Sequence, residues 1–252
     1  RNPEAINWAS HGVEVVIEST GLFLTREAAA KHLVGGAKHV IISAPSNDED
    51  IPSVVMGVND HQIDWTSAVI SNASCTTNNA APMVKVLKDL LDIDVAYIST
   101  VHSYTSDQRL HDAPHKDLRR ARAAANSIIP TSTGAAKAIT RIFPDLKGKI
   151  TGGSFRVPVA DGSVTEMTLV TKTDITAEQI NAAMKKAAEG PLKGILQYTE
   201  DPIVSVDVIG NTHSVVFDAG LTTVFNGLIK VAGWYDNEAG YSNRLADVVK
   251  RF

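Results

Sequence analysis

The sequence predicts an α/β fold in two parts, a parallel sheet flanked by helices and then an α+β part with a mainly antiparallel sheet. Three observations carry this. Short β-branched runs without polar alternation interleave with helical patterns over the first 73 residues, as in parallel strands covered on both faces. After residue 150 the strands lengthen and alternate polar with apolar side chains. Asn226-Gly227, a two-residue hairpin signal, joins two such runs.

The elements follow in chain order. Residues 13–17, 39–43, 53–56 and 68–70 read as buried strands, and Thr25 caps a predicted helix over 26–33 that Gly35-Gly36 closes. A helix is expected over 79–91, where residues 80, 81, 83, 84, 87, 90 and 91 are apolar, and then a strand over 95–101. A short helix over 135–142 precedes strands at 155–160 and 163–173. An amphipathic helix over 177–190 ends in Gly190-Pro191. Strands at 222–225 and 228–234 form the hairpin, and a helix over 238–252 closes the chain.

Composition narrows the function classes. With 44% hydrophobic residues among 252, the chain has enough apolar surface for a sizeable core, so a disordered tail is excluded. A net charge of -4 argues against a general nucleic-acid binder, although residues 115–122 form a basic run. Apolar runs of about half a dozen residues or fewer fall short of a bilayer span, and no secretory signal is read. One cysteine, Cys75, excludes an internal disulfide and points to a reducing, cytoplasmic compartment. The start, Arg1-Asn2-Pro3-Glu4, reads as a helix-start pattern and predicts a longer parent chain.

Cys75 falls between a strand and a helix, near the positive end of a helix dipole, a position expected to lower its pKa and favour the thiolate. The plainer reading is a buried structural cysteine, but Ser74, Thr76 and Thr77 around it are poor core neighbours. His102, at the tip of the strand over 95–101, is the candidate base. His111 and His115 have the spacing of a helical metal pair, but Asp112-Ala113-Pro114 breaks any helix there, so no metal site is expected. Thr131-Ser132-Thr133-Gly134 opens a helix and, with nearby arginines, suits an anion. Arg156, inside an apolar strand, needs a partner that a substrate phosphate would supply.

The segments SNASCTTN, TVHSYTSDQ, RRARAAANSIIPTSTGAAKA, FRVPV and WYDNEAGYS, in this order over the whole chain, resemble the phosphorylating glyceraldehyde-3-phosphate dehydrogenases. The resemblance implies a partial doubly wound parallel-sheet dinucleotide-binding domain over 1–74, an α+β catalytic domain over 75–237, and a C-terminal helix over 238–252 returning to the first. It implies Cys75 as the nucleophile that forms a thiohemiacetal and then a thioester, and His102 as the base. The backbone N–H of Cys75, with His102, would stabilise the oxyanion. Thr105 and Arg156 would hold the substrate's 3-phosphate; Ser74, Thr76, Thr133, Gly134 and Arg120 would hold the attacking inorganic phosphate. Asn237 would bind the nicotinamide carboxamide, and Thr20 and Ser43 would line the cofactor cleft. A homotetramer is implied as well, with residues 107–129 near a neighbouring subunit's cofactor.

The chain departs from the family pattern in three places. No Gly-x-Gly occurs among its 17 glycines, so the phosphate-cradling turn and the acidic ribose ligand are expected elsewhere in a longer protein. Asn79 stands where many relatives carry a second cysteine. Ala113-Pro114 stands where NAD-preferring relatives often carry Leu-Pro; NAD is expected, with NADP left open. The alternatives are erythrose-4-phosphate dehydrogenase, whose relatives usually lack the run found at Ser132 to Lys137, and an inactive remnant acting as a partner or nucleic-acid module.

Overall fold

The computed structural model describes residues 2–252. The chain divides into two compact units, one of residues up to Ser74 together with Ser242–Phe252, the other Cys75–Tyr241.

In the first unit β1 (Val15–Glu18), β2 (His39–Ile42) and β3 (Val69–Ser71) form a parallel sheet in that order. Successive side chains serve opposite faces. Val40, Ile42 and Val69 pack with Ala29 and Leu33 from the helical turns between β1 and β2, whereas Ile41 and Ile70 pack with Leu245, Val248 and Phe252 of the C-terminal segment. Both faces are covered, which is why these strands carry no polar alternation.

Two expectations need correction here. The helix over 26–33 is two single turns, α1 (Arg26–Ala29) and α2 (Lys31–Val34), because the chain tightens at Ala30, whose carbonyl accepts the Leu33 N–H at 2.9 Å. Thr25 caps α1 as expected. Residues 53–56 form no strand; Ser53 makes one isolated bridge to Ser71. Pro52 has no N–H to give, and the Asn59 side chain takes the bonds a neighbouring strand would have made, accepting from Val55 N and donating to Ser53 O. Of the pattern at residues 1–4, Arg1 lies outside the described residues, and Pro3–Ala5 make a single 3-10 turn.

The second unit holds α3 (Cys75–Leu90), β4 (Ile93–Ser103), β5 (Ile129–Thr131), α4 (Ala135–Ile142), β6 (Ile150–Val157), β7 (Ser163–Thr171), α5 (Ala177–Glu189), β8 (Leu196–Thr199), β9 (Val215–Asp218), β10 (Thr223–Phe225) and β11 (Leu228–Tyr235). The eight strands run β5-β6-β4-β7-β11-β9-β8, with β10 on β11. Within this eight-stranded sheet β4–β6 and β8–β9 pair in parallel and the other pairs are antiparallel, so it is mainly antiparallel. Asn226 (φ 49°) and Gly227 (φ 79°) make the β10–β11 turn, both in the left-handed region a two-residue hairpin of this twist requires.

The two faces of this sheet differ. Ile98, Met167, Leu169, Ile229 and Val231 are buried on one, where α3 packs on β7, β9 and β11. Tyr97, Val101, Phe155, Val170 and Leu228 are exposed on the other. The chain ends with α6 (Ala239–Val249), capped by Asp236, whose carboxylate accepts from Glu238 N and Ala239 N. No helix among the described residues is long and apolar enough to cross a membrane.

Candidate active site

The turn ahead of Cys75 is unusual in its backbone. Ala73 sits at φ 55°, a left-handed conformation that disfavours a Cβ, and is held there by the Ser71 hydroxyl, which accepts from Ala73 N at 3.0 Å and donates to Ala44 O at 2.6 Å. Cys75 is then the first residue of α3, four residues earlier than the predicted start, and lies at the helix's positive end. His102 lies inside β4 rather than just beyond it, on the sheet face that α3 covers.

The Cys75 sulfur is 3.4 Å from His102 Nε2. On the other side of the imidazole, Nδ1 is 2.8 Å from the Ser103 carbonyl and also meets Arg156 Nη1, which donates to that carbonyl at 3.0 Å. The Tyr235 ring meets His102 edge-on with centroids 5.9 Å apart, and its hydroxyl lies 3.0 Å from the Thr76 hydroxyl. Asn79 ties α3 to β11 by donating to the carbonyls of Gly233 and Trp234 at 3.2 and 3.3 Å.

The electrostatics overturn the expected low thiol pKa. Burial pushes the Cys75 thiol above its ordinary value, against the downward pull of Thr76 hydrogen bonds and the Arg156 charge. Burial, then the Arg156 charge, lowers His102 to about 4. Thiol and imidazole are therefore both neutral at pH 7, a poised pair rather than a preformed ion pair. Iodoacetamide should accordingly alkylate Cys75 at a rate that climbs through and beyond pH 8; a plateau reached below pH 7 would show a thiolate already formed.

A nucleophile at a helix start, a neutral imidazole beside it and an arginine behind both make a site for attack on an electrophilic carbonyl. Residues 74–237 match the family described as Glyceraldehyde 3-phosphate dehydrogenase, C-terminal domain. The chain is 57% identical over 247 residues to a glyceraldehyde-3-phosphate dehydrogenase of Mycolicibacterium smegmatis, covering 98% of this chain and 72% of that one. It is 56% identical over 250 residues to glyceraldehyde-3-phosphate dehydrogenase 1 of Bacillus subtilis, covering 98% and 74%. The chain belongs to the glyceraldehyde-3-phosphate dehydrogenase family.

The anion-binding residues expected of a glyceraldehyde-3-phosphate dehydrogenase fall in two groups. β6 carries Arg156 in register with His102 on β4 and with Ile129 on β5, so this guanidinium shares the face of the reactive pair. Arg120 donates to the Thr131 hydroxyl through Nε (3.0 Å) and Nη2 (2.7 Å), and pairs with Asp107, which also accepts a hydrogen bond from the Thr105 hydroxyl. Thr133 accepts from Ala135 N at 3.2 Å where α4 begins, and Gly134, with open space where a Cβ would sit, leaves that helix start accessible. The buried Thr76 hydroxyl faces the Tyr235 hydroxyl, and Thr76 also hydrogen-bonds Cys75 through its side chain and backbone. Ser74 is the half-buried residue that precedes the nucleophile.

The cofactor-side expectations divide between the units. In the first, the Thr20 hydroxyl donates to Glu18, which also pairs with His32 at 2.8 Å; burial raises the Glu18 pKa, and these two partners more than reverse it. Thr20, Glu18, Phe23 and His32 line a surface cavity of about 500 Å³. Ser43 N donates to Glu18 O at 2.9 Å, extending the β1–β2 pairing. In the second, the Asn237 oxygen accepts from the hydroxyls of Ser103 and Ser163 at 2.9 and 2.8 Å, which leaves the amide N–H groups as donors for a ligand carbonyl; this fits a carboxamide-bearing cofactor.

The sequence pattern does not mark Tyr235, Ser103, Ser163 or Asp107 as site residues. Ser103 and Ser163 are short hydroxyl side chains that look like ordinary polar alternation in a strand, and Tyr235 ends an apolar strand. Asp107 takes its place only as the partner of Arg120 in the fold, whereas Thr131 belongs to the anion-suited run already read from the sequence.

Proposed function

We propose that this chain carries the NAD-dependent, phosphorylating oxidation of glyceraldehyde 3-phosphate to 1,3-bisphosphoglycerate. The observation that carries the reading is the 3.4 Å approach of Cys75 Sγ to a neutral His102 Nε2. In the tautomer whose Nδ1–H donates to the Ser103 carbonyl, Nε2 has a lone pair for the thiol proton. Sγ bonds to the aldehyde carbon, and the thiol proton passes to Nε2. The carbonyl oxygen becomes the oxyanion, which the Cys75 N–H at the helix start stabilises and which takes the proton back from His102 Nε2 to become the thiohemiacetal hydroxyl. Bound nicotinamide supplies the acceptor for the hydride that leaves this carbon. His102 takes the hydroxyl proton as the carbonyl re-forms, now as a thioester. Inorganic phosphate attacks it, and the C–S bond breaks to release the acyl phosphate and the Cys75 thiolate, which takes its proton back from His102.

In this reading Arg156 and Thr105 hold the substrate's phosphate, and Arg120, Thr133, Gly134, Ser74 and Thr76 hold the attacking one. Asn237 binds the carboxamide, and Thr20 and Ser43 line the cofactor side. The test is NAD reduction by the full-length protein with glyceraldehyde 3-phosphate, with and without inorganic phosphate. Sustained turnover is expected only with phosphate; preference for erythrose 4-phosphate, or turnover indifferent to phosphate, would defeat the proposal.

The same reading makes the protein a homotetramer. The open sheet face, with Tyr97, Val101, Phe155, Val170 and Leu228 exposed, is a surface that a second copy would cover. Tyr97→Glu, which places a charge on that face, should shift the mass in sedimentation towards smaller species; an unchanged mass would place the contact elsewhere.

A further inference from the structure

Two buried hydroxyls converge on one amide oxygen. Asn237 Oδ1 accepts from Ser163 Oγ at 2.8 Å and from Ser103 Oγ at 2.9 Å. Asn237 is 6% exposed, Ser163 1% and Ser103 0%, so water cannot substitute for either hydroxyl. A third bond gives this arrangement a direction: Ser103 N–H donates to Ser163 Oγ at 3.1 Å. A backbone N–H can only donate, so the Ser163 oxygen accepts there and its own hydrogen goes on to Asn237.

A carboxamide is nearly symmetric in shape, and a half-turn of the Asn237 side chain would exchange its oxygen and nitrogen at little steric cost. In that flipped state the buried hydroxyl protons of Ser103 and Ser163 would face N–H groups and lose their acceptor. We propose that Ser163, assisted by Ser103, is a positioning residue that fixes the orientation of the Asn237 amide, so that its N–H donors and not its oxygen meet the cofactor's carboxamide oxygen. This rests on the reading of Asn237 as the carboxamide contact.

Ser103 reaches further. Its carbonyl faces His102 Nδ1 and accepts from Arg156, while its N–H and hydroxyl set Ser163 and Asn237. One residue therefore orients both the base and the contact that places the hydride acceptor. Ser163 has the stronger hold on the amide, because its hydroxyl is locked by an incoming N–H.

The test is calorimetric binding to the full-length protein of NAD and of ADP-ribose, which lacks the nicotinamide. Ser163→Ala should weaken NAD by about 10-fold and leave ADP-ribose unchanged, with Ser103→Ala showing a smaller loss of the same kind. Asn237→Asp keeps an acceptor for both hydroxyls but has no N–H to offer, and should lose the same selectivity. Equal weakening of both ligands by Ser163→Ala would mean a structural role and overturn the proposal, as would a wild-type NAD to ADP-ribose ratio. If Asn237→Asp keeps the wild-type ratio, it is the reading of Asn237 that fails. Ser103→Ala leaves the Ser103 N–H to Ser163 bond intact and provides the same test should Ser163→Ala not fold.

Discussion

Cys75→Ser is expected to lower kcat/KM for phosphate-dependent NAD reduction by about 10^4-fold or more, with NAD binding kept. Serine offers His102 a proton from nearly the same place, so the site's geometry survives. The chemistry does not. An imidazole whose pKa is about 4 is a weak base even for a thiol and far weaker for an alcohol. An oxygen ester at this position would also give way to phosphate much less readily than a thioester. Activity within tenfold of the wild type would mean that another group attacks the aldehyde.

His102→Asn has the second largest expected effect, a loss of about 10^2- to 10^4-fold in kcat/KM. The asparagine amide can still donate to the Ser103 carbonyl, where Nδ1 now lies, but nothing then stands beside Sγ to take its proton. The same substitution should alter the acid stability of the protein. With a folded pKa of about 4 against an ordinary 6.5, His102 is neutral in the fold while the unfolded chain binds a proton. Stability contributed by the neutral form is present above pH 6.5 and is lost as pH falls from there towards 4, amounting to about 3 kcal/mol at the lower end. Urea unfolding at pH 7 and pH 4.5 should show a smaller acid loss for His102→Asn than for the wild type; parallel losses would mean that His102 titrates in the fold much as it does in the unfolded chain.

What the sequence made legible follows from local rules. Asn226-Gly227 announced its hairpin because few residues tolerate two consecutive positive φ angles, and residues 135–142 showed their helix in full because turn residues mark its start. The strand over 95–101 came out short because Ile93 and Ser103 continue the pairing beyond the β-branched core of the run. Cys75 and His102 stood out by type and by position at element ends. Their protonation did not, since the desolvation that raises one pKa and lowers the other comes from burial in the fold, which residue type and spacing do not record. Residues 53–56 looked like a strand because Val54 and Val55 are as buried as strand residues; the competing partner, the Asn59 side chain, left no trace in an apolar pattern.

Strands β4 and β6 place their functional and their exposed side chains back to back. Val101 and His102 are consecutive residues on opposite faces, and so are Phe155 and Arg156. A one-residue slip of either strand during folding would turn the reactive group outward and bring a hydrophobic side chain into its place. Such a chain would not be a weakened catalyst. It would be inert, and it would present an altered surface to its neighbours. In a refolded preparation, the fraction of molecules with a competent Cys75–His102 pair is therefore a count of correctly registered sheets, and specific activity should report folding fidelity in whole molecules rather than by degrees.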